Sequence, residues 1–103
     1  MENTEFTVIA ELTALNGFEE ELLALVKKQV AASRREKDVI YYAANEAIGE
    51  KGKFIFYEVY GSEEAFEINK ASEHTQAFFK AINGKLKGQG VTAAFMKPIT
   101  VKP

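Results

Sequence analysis

Lys53-Phe-Ile-Phe-Tyr-Glu-Val-Tyr60 is the stretch on which the fold turns. It is rich in β-branched and aromatic residues, holds no glycine or proline, and reads as a strand. Before it stands Ile48-Gly49-Glu50-Lys51-Gly52, two glycines and two charges suited to a hairpin turn. The hairpin needs a partner upstream, and Val39 to Ala47, with Ile40, Tyr41, Tyr42, Ala43 and Ala44, supplies it. Gly61-Ser62 ends the central strand, and Ser62 can cap a helix with Glu63 and Glu64 in its first turn.

Working outward, that helix runs to about Ala71. Ser72 is a second cap, opening a further helix through Thr75, Phe78, Ile82 and Leu86, closed by Gly88-Gln89-Gly90. Val91 to Val101 is a last strand, in which Pro98 removes a ladder donor and favours an edge or a bulge. Upstream, Phe6 to Leu15 alternates with period two and reads as a strand. Asn16-Gly17 breaks it. Phe18, Leu22, Leu25, Val26, Gln29 and Val30 then fall on one face of a helix from Phe18 to about Arg34. Glu19, Glu20 and Glu21 in its first turn suit the helix dipole. The order is β-α-β-β-α-β with the second helical region split in two. This is an α+β, ferredoxin-like arrangement, an antiparallel sheet with helices on one face.

At 103 residues there is room for one domain, residues 1–103. With no cysteine, disulfides, thiolate catalysis and Cys-ligated metals are excluded. A net charge of −2 with no basic run argues against a nucleic-acid partner. The opening Met1 to Leu12 has no basic region followed by an apolar stretch, so no secretory signal is expected. No apolar run approaches the ~20 residues of a membrane span, so no membrane partner is expected and a cytoplasmic location is. The strands add an expectation about assembly. Phe54 and Phe56 point one way and Ile55, Tyr57 and Val59 the other, so the central strand is apolar on both sides. The chain's own helices cover one face only, and a second copy's sheet is the expected cover for the other: a homodimer.

Phe54-Ile-Phe-Tyr-Glu-Val-Tyr-Gly-Ser-Glu-Glu-Ala-Phe66, then Lys70-Ala-Ser-Glu-His-Thr75, with Ser33-Arg34-Arg35-Glu36 before the second strand, resembles the antibiotic-biosynthesis monooxygenase family. Members typically carry a strand ending in Tyr-Glu-Val-Trp or similar, an acidic helix start, a Ser/Thr-Pro-His element and a Ser-Arg-x-Glu. The resemblance covers nearly the whole chain. It implies a dimeric α+β barrel with a pocket between sheet and helices. For several members it implies oxidation of quinols or aromatic polyketides by O₂ without metal or flavin; relatives degrade haem or isomerise a phosphorylated metabolite. There are departures. The family's Glu-Pro-Gly after the first helix is Glu36-Lys37-Asp38, and the helix position that often holds His or Trp is Asn69. The haem degraders' first-strand Asn falls at Ala10 and their haem-ligating His near Phe78, which disfavours haem degradation by that mechanism.

His74 is the only histidine. At a helix N-terminus it is expected to stay neutral, able to accept a substrate proton, or else to cap the break between two helices. Glu58 shares a face with Phe54, Phe56 and Tyr60. A carboxylate among aromatics is a candidate base unless an arginine such as Arg34 pairs with it. Asn69 is either an amide donor to a substrate oxygen or a solvated helix residue. These three are the candidate catalytic residues; Tyr41, Phe56, Tyr60, Phe66 and Phe78 are candidate substrate-binding residues. Tyr42 and Tyr57 offer further phenols, and Arg34 and Arg35 are the only arginines. One histidine and scattered carboxylates fall short of any metal ligand set, and no Gly-rich phosphate loop follows a strand, so no cofactor is expected. Three readings stay open: a cofactor-independent oxygenase of a small aromatic, a proton-transfer isomerase of a small carbonyl compound, and a non-catalytic small-molecule-binding or stress module.

Overall fold

The central strand forms where it is expected. In the computed structural model, which describes residues 4–99, the elements are β1 (Phe6–Thr13), α1 (Glu19–Ser33), β2 (Val39–Glu46), β3 (Lys53–Tyr60), α2 (Glu63–Ala71), α3 (Glu73–Ile82) and β4 (Thr92–Met96). The strands form one antiparallel sheet in the order β2-β3-β1-β4, the ferredoxin-like α+β arrangement. The register sets Val8 opposite Glu58, Ala10 opposite Phe56 and Leu12 opposite Phe54. Because side chains alternate across a strand, these six share the face on which the helices lie. From α1 that face receives Leu22, Val26, Gln29 and Ser33, and from α3 Thr75, Phe78 and Ile82, all buried. No helix of the described residues is long and apolar enough to cross a membrane.

Both predicted caps form: Ser62 Oγ accepts from the Ala65 N–H and Ser72 Oγ from the Thr75 N–H. Ser72 is extended (φ −62°, ψ 154°), which breaks the helical region at that residue. Two predicted ends move. α3 stops at Ile82 rather than running through Leu86, because Gly84 turns left-handed (φ 80°) and Leu86 forms a bridge to Ala14 instead. The last strand ends at Met96, short of Pro98, whose missing N–H does not interrupt a ladder; the predicted end of that strand, from residue 100, lies outside the described residues.

Gly52 fixes the hairpin turn against α1. Its φ is +88°, and an added Cβ would come within 2.7 Å of Glu19 Cγ and 3.3 Å of Ala14 Cβ. Its N–H donates to Glu46 Oε2 and its carbonyl accepts from the Ala14 N–H. Gly52→Ala therefore meets both backbone strain and a clash. It should cost about 2 kcal/mol or more in a urea unfolding series; an unchanged midpoint would show that the turn relaxes freely.

The helix layer does not cover the sheet evenly. Every residue of β4 is exposed, Phe95 at 56%. At the other edge, β2 carries an irregularity at Ile40 and its Tyr42 carbonyl accepts from Arg34 Nε; both limit pairing with a foreign strand. The uncovered face of the sheet presents Ile9, Tyr41, Tyr57 and Met96, each more than a third exposed.

Candidate functional site

The uncovered side of β4 opens a pocket between the sheet and the α2–α3 pair, with a volume of about 210 Å³. Its floor is Val8, Ala10 and Leu12 of β1 with Phe56 of β3, and its roof is Phe66, Phe78 and Phe79. The aromatics brace one another edge-on: Phe56 and Phe78 at 6.1 Å between ring centres, Phe66 and Phe95 at 5.4 Å. Polar groups gather at one place in this apolar wall, namely Glu58, Asn69, Gln29, Thr75 and Tyr42. Lys70 is the remaining charged residue of the lining.

Glu58 is 6% exposed and has no cation within ion-pair distance among the described residues. The expected pairing with Arg34 does not form, since that guanidinium turns to the Tyr42 carbonyl. Burial pushes the Glu58 carboxyl up to about 7, against the opposing effect of a 2.5 Å hydrogen bond with the Tyr60 hydroxyl. Tyr60 and Tyr42 are themselves raised well above the ordinary phenol value, first by burial and then by the charge of Glu58, so both carry their protons at any physiological pH.

Behind the pocket wall the network is continuous. Tyr60 Oη lies 3.1 Å from Asn69 Oδ1; Asn69 Nδ2 donates to Ser33 Oγ at 3.1 Å and to Glu36 Oε2 at 2.8 Å. The same Glu36 oxygen lies 2.5 Å from His74 Nε2, while His74 Nδ1 faces Gln29 Oε1 at 3.1 Å. Gln29 Nε2 in turn donates to Thr75 Oγ1 at 2.9 Å. No buried side-chain polar atom of the described residues lacks a partner.

Of the sequence candidates, Glu58, Asn69, Phe56, Phe66 and Phe78 meet in the pocket. Tyr60 lies behind it, reaching it through Glu58. Three expectations need correcting. Tyr41 does not line the pocket: it stands on the opposite face of the sheet, 53% exposed and edge-on to Tyr57 at 5.6 Å, because its position in β2 alternates with buried Tyr42. His74 does not line it either; it borders the groove between α1 and α3, and with Glu36 and Gln29 on its two nitrogens it has no free nitrogen to take a substrate proton. Asn69 has both amide hydrogens committed within the protein rather than offered to a substrate oxygen. Tyr42, one of the further phenols, lines the pocket, and Gln29 and Thr75 join it without having been candidates for binding. The signal for Gln29 is its place in the apolar stripe of α1, where a polar residue is buried only with a partner. Among the described residues, no three His, Cys, Asp or Glu side chains gather as a metal-ligand set.

A family model described as antibiotic biosynthesis monooxygenase matches residues 5–81. None of the curated proteins matches the chain by sequence. Among solved structures, the chain is similar to an antibiotic biosynthesis monooxygenase (24% identity, TM-score 0.86, covering 92% of this chain and 99% of the other). It is similar to PA3566 from Pseudomonas aeruginosa at 26% identity and TM-score 0.86, over 94% of this chain and 96% of the other. Rv0793 from Mycobacterium tuberculosis superposes at TM-score 0.87 with 20% identity, over 96% of this chain and 99% of the other.

Proposed function

Because the chain belongs to the antibiotic biosynthesis monooxygenase family, we propose that it is an oxygenase that uses O₂ on a small phenol or quinol and needs no cofactor, with Glu58 as the base. The observation that carries this reading is the buried Glu58, without an ion-pair partner among the described residues, at the polar spot of a pocket otherwise lined mainly by phenylalanines and aliphatics. An ionised Glu58 takes the proton of an aromatic hydroxyl. The resulting anion, held away from water, is electron-rich enough at a ring carbon to react with O₂. For a quinol the balance is quinol plus O₂ giving a hydroxyquinone plus water, with one oxygen atom entering the ring and the other leaving reduced. The pocket's volume, about 210 Å³, lies below the roughly 300–1,000 Å³ of common ligand pockets. One or two rings suit it better than a polycyclic polyketide.

The test is oxygen uptake with a panel of benzoquinols, naphthols and anthrones under chelator. Uptake above the autoxidation blank supports the reading, and its absence across the panel removes it. A second reading, a binding module without turnover, draws on the commitment of Asn69 and His74 to protein partners. It expects ligand binding without oxygen consumption.

The proposed active unit is a homodimer, for which the exposed Ile9, Tyr41, Tyr57 and Met96 on one face of the sheet are the support. Light scattering at micromolar concentration should give twice the chain mass, and Tyr57→Asp should lower it to the chain mass. A wild-type protein already at the single-chain mass would sink the dimer.

A further inference from the structure

The hydrogen-bond count around Tyr60 does not close if Glu58 is ionised. A neutral phenol has one hydrogen to give, and Tyr60 Oη touches two oxygens, Glu58 Oε1 at 2.5 Å and Asn69 Oδ1 at 3.1 Å. Which end of the Asn69 amide faces Tyr60 is decided from the other side. Glu36 Oε2 and Ser33 Oγ hold the amide nitrogen, so the carbonyl must point to Tyr60. Glu36 is itself held by His74. With Glu58 protonated every group is served, since Glu58 donates to Tyr60 and Tyr60 donates to Asn69. With Glu58 ionised, the phenol hydrogen turns to the carboxylate and the Asn69 carbonyl is left buried without a donor, an unfavourable state.

We propose that Asn69 is a positioning residue that favours the protonated form of Glu58, by competing through its carbonyl for the single hydrogen of Tyr60. The choice between two orientations of one hydroxyl thus couples the pocket acid to the Glu36–His74 pair across the roof helices. The remaining neighbours leave room for this effect to dominate. From β2, Tyr42 stands opposite Glu58 in register, and from β1 the partner is Val8, which does not titrate. Gln29 of α1 and Thr75 of α3 are neutral, while α2 brings Lys70 to the pocket lining. Glu36 and His74, the charged or titratable groups beyond, reach Glu58 through Asn69 and Tyr60. His74 also faces Gln29, whose Nε2 donates to Tyr42 Oη at 3.4 Å; the double variant separates the two routes. The proton itself does not travel this way, since a carboxamide is a poor relay; what is transmitted is the preference for one hydrogen-bond sense.

The proposal bears on the oxygenase reading by setting when the base is ionised, but it can be tested without substrate. The Glu58 carboxyl is titrated by infrared difference spectroscopy, its band assigned by its loss in Glu58→Gln. Asn69→Leu removes the competing carbonyl and should lower the Glu58 midpoint by about one pH unit, the equivalent of one hydrogen bond. Tyr60→Phe removes the donor that favours the carboxylate and should raise it. In the double variant Asn69→Leu/Tyr60→Phe the midpoint should match that of Tyr60→Phe alone, because the effect of Asn69 passes through Tyr60. Should Asn69→Leu fail to fold by circular dichroism, Asn69→Ala replaces it in both backgrounds. An unmoved or raised midpoint in the Asn69 variant, or a downward shift that persists without the Tyr60 hydroxyl, overturns the proposal. Shifts as expected in a protein that consumes no oxygen would uphold the positioning role and remove only the oxygenase reading.

Discussion

Glu58→Gln is expected to lower substrate-dependent oxygen uptake at neutral pH by roughly a hundredfold to ten-thousandfold, the range over which a positioned general base contributes. Glutamine has nearly the same shape, and its amide can donate to Tyr60 as the protonated acid does, so the pocket should stay intact. What it lacks is a site for the substrate proton. The pH profile gives the sharper signature. The active form is the carboxylate, and burial raises the Glu58 carboxyl to about 7. Uptake by the wild type should therefore climb about tenfold per pH unit below that value and level off above it. In Glu58→Gln the residual rate should lose this inflection. His74→Ala, by contrast, should keep an inflection assignable to Glu58, because the imidazole contacts Glu36 and Gln29 and does not itself line the pocket or touch Glu58. A Glu58→Gln enzyme with undiminished uptake would take Glu58 out of the chemistry.

The contrast between Glu58 and His74 also shows which parts of the molecule are legible in its sequence. Strand alternation is a local property: once Lys53–Tyr60 is a strand, Phe54, Phe56, Glu58 and Tyr60 must share a face, and the structure buries all four. The caps at Ser62 and Ser72 are local too, and both form. Where α3 stops is a competition between continuing the helix and pairing with a distant strand. Leu86 continues the helical spacing, but Ala14 claims it across the sheet, and no window of sequence contains both. The site divides in the same way. That Glu58 lies among aromatics follows from period two. That Arg34 goes to the Tyr42 carbonyl instead, leaving the carboxyl without a cation, depends on how α1 ends over the β2 edge. His74 looks like the reactive group because it is the one histidine, yet it is tied on one side to Gln29, 45 residues away, and on the other to Glu36, 38 residues away. Tyr41 and Tyr42 are equal as letters; only the register against β3 makes one core and the other surface.

A group arranged to be a base at neutral pH weakens the fold that holds it, and the second large effect follows from this. The folded-state value of Glu58, about 7, lies above the ordinary 4.5 that the unfolded chain would show. The folded state therefore binds this proton more tightly than the unfolded state. Linkage then makes this group's contribution most favourable below about pH 4.5, diminishing as pH rises through 7 and levelling beyond it. At about 1.4 kcal/mol per pH unit of difference, ionising Glu58 inside the folded protein costs about 3 kcal/mol by pH 8. Glu58→Gln cannot ionise and escapes that cost while keeping the donor to Tyr60. The variant should thus be more stable than the wild type by up to about 3 kcal/mol in urea unfolding near pH 8, with the gap closing toward about pH 5. The substitution that removes activity would then be the one that strengthens the fold, and the pH at which the gap between the two proteins stops widening, about 7, should coincide with the inflection in oxygen uptake. Unfolding midpoints that differ by the same amount at both pH values would mean that Glu58 ionises in the fold as freely as in water, and the base would have to be sought elsewhere in the pocket.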